Sequence, residues 1–443
     1  MARNNSGGHG SCPLPCPHEL TERDRRGPLP GMAGRDLVWV ARAYGLLIAV
    51  GCGASSSPQD SVEDASPLTR ADADAPEASS DLDSTVASPN DSGLEPLDAA
   101  VIDAGAVTVG DDAARPLADA GLASDSGAAA CANGLGGGPT MSTTTHQDIG
   151  VHDPSMIWDG SRYYLFATGG TLGIRSSTNL TAWTNVGNIF SDIPSWVTTD
   201  IGTNPGTLWA PDISYFSGQF HVYYAGSTSG SNASVIGLAT TPTLQASNAN
   251  YHWTDQGLVI QSKKSDDFNA IDPNVSFDRN CKPWLAYGSF WSGIKMHKLD
   301  ETTGKLATDD TTTYSLASRN GGAIEAASIV SHNGYFYLFV SFDTCCQGVN
   351  STYRTMVGRA SAITGPYTDK SGAAMMQGAA EQLLATSGRY IGPGGGTAWK
   401  DGNTYLYVYH YYDGDANGAS KLQIRPIVFG SDDWVTLGDS LFP

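Results

Sequence analysis

No Cys-x-x-Cys pair occurs among the 7 cysteines of this chain, which argues against a zinc site. Cations are scarce: 25 Lys and Arg stand against 45 Asp and Glu, a formal net charge of -20. No basic patch stands out, so nucleic acid is not an expected partner. No apolar run is long enough for a membrane span. No segment sustains helical periodicity, which points to an all-β chain. Between residues 53 and 135 there is no aromatic residue at all.

That last absence divides the chain. Residues 53–139 are dominated by Ala, Asp, Ser, Gly and Pro. Between residues 55 and 130, 16 acidic residues face only Arg70 and Arg115, so about 14 of the 20 net negative charges sit there. Such a segment cannot bury enough apolar surface to offset its chain entropy, and it is expected to be a disordered acidic tether. Residues 140–443 are the reverse, rich in Tyr, Trp, Phe and Gly and low in charge. They are long enough for one large all-β domain. Residues 1–52 hold an N-terminal extension and an apolar run from Leu37 to Gly51 that ends at Cys52. A charged segment, a short apolar core and small residues before a Cys are similar to a bacterial lipoprotein signal, with an ordinary secretory signal as the alternative. Met32 is the expected start of that signal. Either reading exports the domain, as a cell-surface lipoprotein held by a lipid on Cys52 or as a secreted protein. A monomer is the expected state.

The exported part keeps Cys131, Cys281, Cys345 and Cys346. An oxidising compartment permits disulfides. The adjacent pair fits either a vicinal disulfide or two cysteines that are reduced or paired elsewhere.

What is present is a repeat. At intervals of 53 to 70 residues the same unit returns, beginning at Asp153, Asp212, Asp272, Glu325 and Gly395. A polar residue opens it, an apolar strand follows, then a tight turn, then an aromatic-rich strand. The turns are Asp159-Gly160, Ser217-Gly218, Arg279-Asn280, Asn333-Gly334 and Asp401-Gly402, all residues suited to tight turns. After them come near-continuous β-formers such as Tyr-Tyr-Leu-Phe at 163–166, which suit strands buried on both faces. A third strand follows in several copies, and Trp183 and Trp253 fall at fourth-strand positions. Four strands repeated five times predict a five-bladed β-propeller. A β-sandwich is the runner-up, but it does not explain the regular return of the opener.

In a propeller the start of each innermost strand points at the central axis, so the openers predict a ring of acids around one pocket. Asp153, Asp272 and Glu325 can build a glycosidase. One carboxyl protonates the leaving oxygen, another stays ionised and activates water, and a third holds the donor's proton affinity up. Acids on different blades leave room for a water between them, which favours inversion. Buried Asp and Asp-Pro corners also cap turns in β proteins, and Asp212, tied to the Trp209-Ala210-Pro211 corner, reads as architectural.

Over about residues 146–430 the chain resembles glycoside hydrolase family 43, and within it the endo-1,5-α-L-arabinanases. The motifs are Val151–Ser155 (VHDPS), Trp209–Asp212 (WAPD), Asn269–Val275 (NAIDPNV), Gly288–Trp291 (GSFW), Ile324–Ala326 (IEA), and Cys345-Cys346 followed by STYRTMVGR. The resemblance implies inverting hydrolysis of internal α-1,5-L-arabinofuranosyl bonds in arabinan, a plant cell-wall polysaccharide. It implies Asp153 as general base, Glu325 as general acid and Asp272 as the residue that raises and orients Glu325. Substrate contacts are implied at Asp153, Gly237, Asn269, Ala270, Ile271, Asp272, Ser289, Phe290 and Trp291. Relatives carry a His on the fifth blade that helps to hold an axial calcium ion. Here Gly395 stands in its place, so a metal requirement is an open question, and His410 on the following strand is read as a buried structural residue. Ala327 replaces a Pro of some relatives, with little expected consequence. Two alternatives are an exo-acting α-L-arabinofuranosidase or β-xylosidase on the same fold, and a non-catalytic sugar-binding propeller.

Overall fold

The computed structural model describes residues 147–442. The N-terminal extension, the signal and the acidic tether, with Cys52 and Cys131, lie outside the described residues. Five four-stranded antiparallel sheets follow one another in chain order. Blade 1 holds β1 (Ser155–Trp158), β2 (Tyr163–Phe166), β3 (Gly173–Ser177) and β4 (Thr184–Asn188); blade 2 holds β5 (Trp209–Phe216), β6 (Gln219–Gly226), β7 (Ser234–Thr241) and β8 (Thr254–Ser262). Blade 3 holds β9 (Asn274–Phe277), β10 (Pro283–Tyr287), β11 (Ile294–Lys298) and β12 (Tyr314–Ala317). Blade 4 holds β13 (Ile324–His332), β14 (Tyr335–Phe342), β15 (Arg354–Ala360) and β16 (Glu381–Leu384). Blade 5 holds β17 (Tyr390–Asp401), β18 (Thr404–Asp413), β19 (Ala419–Phe429) and β20 (Val435–Leu437). This is the expected five-bladed propeller. One short helix, α1 (Ser195–Ile201), joins blades 1 and 2; at 7 residues it is too brief to leave a periodic signal. Among the described residues no helix is long and apolar enough to cross a membrane.

The turn chemistry holds in four of the five hairpins. Ser217-Gly218 and Asn333-Gly334 have positive φ at both residues (49° and 79°, 45° and 79°), as the tightest hairpins require. In blade 3 the positive φ falls one residue later than Arg279-Asn280, on Cys281 at 58°. The reason is Asp278, whose carboxylate caps the backbone N–H of Asn280 and of Lys282 and so lengthens the turn. Trp183 and Trp253 immediately precede β4 and β8.

The second strand of each blade is buried along most of its length because each blade is sandwiched between two others. In β2, Tyr163 and Leu165 enter the apolar cluster shared with blade 5, while Tyr164 and Phe166 enter the one shared with blade 2. In β14, Phe336, Leu338 and Val340 face blade 3, and Tyr337 and Phe339 face blade 5. Period-two alternation thus serves two cores rather than one core and water. Each such side chain, fully buried, contributes about 1.5–3 kcal/mol relative to exposure.

Near the axis a polar girdle joins the innermost strands. Ser155 Oγ accepts from the Ile213 N–H at 3.1 Å, Asp212 Oδ2 from Val275 N–H at 2.8 Å, and Asn274 Oδ1 from Ile329 N–H at 3.0 Å. Ser328 Oγ accepts from Ala398 N–H at 2.9 Å, and Thr397 Oγ1 donates to the Pro154 carbonyl at 3.0 Å, which closes the ring. One polar side chain per blade therefore reaches the backbone of the next. Asp212 belongs to this set. It is 2 % exposed and also accepts from Asn274 Nδ2 and the Ser155 hydroxyl. Burial lifts its carboxyl to about 7, against the three hydrogen bonds that pull it down. The architectural reading of Asp212 holds. Asp212→Ala leaves the Val275 N–H and the Asn274 amide buried without an acceptor, and is expected to destabilise the domain by about 2–4 kcal/mol. Urea unfolding of the purified domain measures this.

The girdle also corrects the register of the openers. Two residues before each girdle residue the backbone turns left-handed: Asp153 (φ 46°), Ala210 (39°), Asp272 (55°), Ala326 (53°) and Gly395 (57°). These five are equivalent. Glu325 sits one residue before this position and Asp212 two after it, so the four acids do not occupy one place in the repeat.

Candidate active site

The five left-handed corners bring the starts of the inner strands together. Asp tolerates this conformation better than most residues, because its short side chain hydrogen-bonds locally. Between the corners lies an axial cavity of about 20 Å³ lined by all five blades, including Asp153, Ala210, Asp272, Ala326 and Gly395. That is room for about one water. Above it opens a cleft of about 660 Å³ lined by Asp153, Asp272 and Glu325 together, with Trp209, Trp291 and Tyr353 among the aromatic walls.

The three acids have different surroundings. Asp153 Oδ2 accepts from His152 Nδ1 at 2.8 Å and from the Thr168 hydroxyl at 2.7 Å. Burial works to raise its carboxyl, but the charge and hydrogen bond of His152 outweigh that and hold it at about 2. His152 is in turn raised: burial disfavours its charge, and Asp153 more than compensates. Glu325 is 8 % exposed. Its Oε2 accepts from the Ser289 hydroxyl at 2.6 Å, and its Oε1 from the Tyr353 hydroxyl. Burial lifts its carboxyl above the usual range, the two hydroxyls lower it, and the charge of Asp153 raises it again. Asp272 accepts from the Ala326 N–H at 3.0 Å and is lifted further, first by burial and then by the charges of Glu325 and Asp153. One cleft thus holds a carboxylate ionised at any ordinary pH beside two carboxyls whose proton affinity is raised.

Of the expected substrate contacts, Asp153, Asn269, Ile271, Asp272, Ser289, Phe290 and Trp291 line the cleft. Gly237 and Ala270 do not. Gly237 lies on β7, where a Cβ would come within 2.6 Å of the Tyr224 ring and 2.9 Å of Trp196. Its role is to let those rings pack. Ala270 is fully buried in the cluster between blades 2 and 3, and its N–H donates to Ser262 Oγ.

Sequence reasoning missed His152, Thr168, Tyr353 and Tyr412. His152 and Tyr353 stand inside the quoted motifs, so a motif was the available signal. Thr168 and Tyr412 carried none. Cys345 and Cys346 form a vicinal disulfide on the cleft wall.

The axial position offers little to a cation. His152, Asp153 and His410 bring potential ligand atoms within 4.8 Å of one another. Yet the imidazole lone pairs are engaged. His410 Nδ1 accepts from the Asp153 N–H at 3.1 Å. His152 lies between Asp153 and the Tyr412 hydroxyl, 2.8 Å from each, and stacks on His410 with centroids 3.8 Å apart. Gly395 supplies no side chain, and a Cβ there would stand 2.5 Å from His410 Cε1 and 2.6 Å from Asp153 Oδ1. These residues do not fit an ion held by imidazole. His410 is fully buried, as expected of a structural residue.

The sequence profile of glycosyl hydrolases family 43 matches residues 148–435. An extracellular endo-α-(1→5)-L-arabinanase of Bacillus subtilis (strain 168) is 44% identical over 287 residues, 63% of this chain and 86% of that protein. An extracellular exo-α-(1→5)-L-arabinofuranosidase of Cellvibrio japonicus (strain Ueda107) is 36% identical over 301 residues, 65% of this chain and 86% of that protein. Among solved structures, an endo-arabinanase from Bacillus licheniformis superposes with a TM-score of 0.62 at 44% identity, over 66% of this chain and 99% of that one.

Proposed function

The chain belongs to glycosyl hydrolases family 43, and we propose that it is an inverting endo-arabinanase with Asp153, Glu325 and Asp272 as its catalytic acids. It is a glycoside hydrolase that cleaves arabinan, in line with its endo-acting relatives. The observation that carries the assignment of roles is the split in proton affinity within one cleft. Asp153 is held near 2 while Glu325 and Asp272 are lifted. Paired carboxyls whose environments push them apart are what acid–base cleavage requires.

The steps follow. Asp153 Oδ2 is bonded to His152 and Thr168, so Oδ1 is the oxygen available to a water. As that water attacks the anomeric carbon, Oδ1 takes its proton. The bond to the leaving sugar breaks on the opposite side, and Glu325 donates its proton to the departing oxygen. The product has inverted configuration. Ser289 and Tyr353 fix the Glu325 carboxyl. Asp272 shares the buried acid pocket with Glu325, and negative charge on either raises the proton affinity of the other.

The alkaline limb of kcat/KM is therefore set by loss of the Glu325 proton. Asp153, ionised above about 2, contributes no limb in the neutral range. Asp272→Asn removes a negative neighbour, lowers the proton affinity of Glu325 and moves the alkaline limb to lower pH. An unmoved limb removes Asp272 from the role of modulator.

Endo action is tested on linear and branched arabinan, with and without a chelator. The expected result is rapid loss of viscosity with a mixed oligomer ladder. Arabinose as the sole early product sinks the endo reading in favour of an exo-acting enzyme. The chelator is expected to change neither rate nor Tm, because the imidazole lone pairs near the axis are already engaged and the unpartnered His410 Nε2 carries the ring proton. Export is supported by the two extracellular relatives. A lipid on Cys52 and a monomeric state complete the proposal, and are checked by mass spectrometry of the mature N-terminus and by size-exclusion chromatography.

A further inference from the structure

We propose that the Cys345–Cys346 disulfide positions the general base through Tyr412 and His152. The inference rests on the reading of Asp153 as that base. The disulfide lies in the loop between β14 and β15. The loop's base is held without it. Asp343 pairs with Arg319 and Arg354, and Thr352 N–H donates to the Thr344 carbonyl at 2.9 Å. Cys346 does something different. It sits at φ 65°, and its N–H leaves the loop to donate to the Tyr412 hydroxyl of blade 5 at 2.7 Å. Linking adjacent residues through their sulfurs restricts the backbone of both, so the ring holds Cys346 in a left-handed conformation that a non-glycine residue otherwise adopts at an energetic disadvantage.

The direction of the chain of hydrogen bonds follows from its first donor. A backbone N–H can only donate, so Tyr412 Oη accepts from Cys346, and beside a neutral His152 its own proton is directed to Nε2, 2.8 Å away. His152 then carries its proton on Nδ1 and donates to Asp153 Oδ2 at 2.8 Å. That leaves Oδ1 as the basic oxygen. His152 is also gripped physically. His410 stacks on its face, and Cys346 Sγ lies 3.7 Å from Nε2. The disulfide thus decides, through two side chains, which oxygen of Asp153 faces the water. Cys345, Cys346, Tyr412 and His152 are positioning residues; the proton of the reaction passes to Asp153.

The test is a double-mutant cycle on kcat. Serine replacements are preferred to a reductant, since Cys281 is also disulfide-bonded. The double substitution Cys345→Ser with Cys346→Ser, the single Tyr412→Phe, and all three together are compared on linear arabinan. Each of the first two is expected to lower kcat about ten-fold, a fraction of what general-base catalysis contributes, with KM changed less than about two-fold. The combined variant is expected to be no slower than either, because both break one chain. Additive losses, or losses confined to KM, overturn the proposal. Should the cysteine variant fail to fold by circular dichroism, Tyr412→Phe decides alone with both cysteines in place: a full kcat overturns the proposal. Asp153→Asn separates the two claims. If it retains full kcat, the base assignment has failed and the relay has no target. If it is inactive while Tyr412→Phe is fully active, the relay alone has failed.

Discussion

Glu325→Gln leaves the domain folded and its cleft able to hold arabinan, but kcat falls by roughly a hundred- to ten-thousand-fold, the usual range for a lost general acid. Gln is nearly isosteric: its amide oxygen accepts from one of the Ser289 and Tyr353 hydroxyls, and its NH2 donates to the other. What disappears is the transferable proton, which burial holds on Glu325. The loss falls on kcat rather than KM, since proton donation matters only as the glycosidic bond breaks. The identity of the leaving group supplies a sharper check. An aryl arabinofuranoside with an acidic phenol departs without protonation, so Glu325→Gln should retain most of its rate on that substrate. Wild-type rates on the polymer would show that another group is the acid.

Asp153→Asn produces a loss of the same order with the opposite pattern. The aryl substrate does not rescue it, because the missing event is activation of water rather than departure of the sugar. A small anionic nucleophile such as azide needs no base, and added azide is expected to restore turnover with a glycosyl azide as product. The substitution also removes the carboxylate that raises the proton affinity of His152. His152 should then titrate at lower pH than in the parent chain, which NMR of the imidazole signals follows. If azide rescues Glu325→Gln and not Asp153→Asn, the two roles are interchanged.

The architecture was legible because continuous β-forming runs such as Tyr163–Phe166 and turn pairs such as Asn333-Gly334 are local signals, and the ring repeats them five times. The register of the openers was not. The pairing of β5 slips between Trp209 and Asp212, that of β13 between Glu325 and Ser328, and that of β17 between Gly394 and Thr397. A bulge adds a residue without changing the hydrophobic pattern, so Asp212 and Glu325 read as equivalents of Asp153 until the girdle shows otherwise. The acids themselves were legible through their motifs. Their partners were not, because His152 meets Tyr412 across 260 positions of sequence and Glu325 meets Tyr353 across a hairpin. Gly237 came from the resemblance alone, with no motif around it, and it lies on β7 away from the cleft wall.

Every sheet of the propeller is made from one unbroken stretch of chain, and blade 5 shares no strand with blade 1. The seam between them is held by Thr397 on Pro154, by the cluster joining Trp399 and Leu422 to Met156 and Leu165, and by the Leu422 N–H on the Ile149 carbonyl. The five blades are thus modular in the sense of permutation. A cut in the loop between any two of them severs no ladder, and rejoining the ring at the blade 5–blade 1 seam would leave every sheet and the whole acid cluster as they were. Evolution or design could open this ring at five places and keep the same centre.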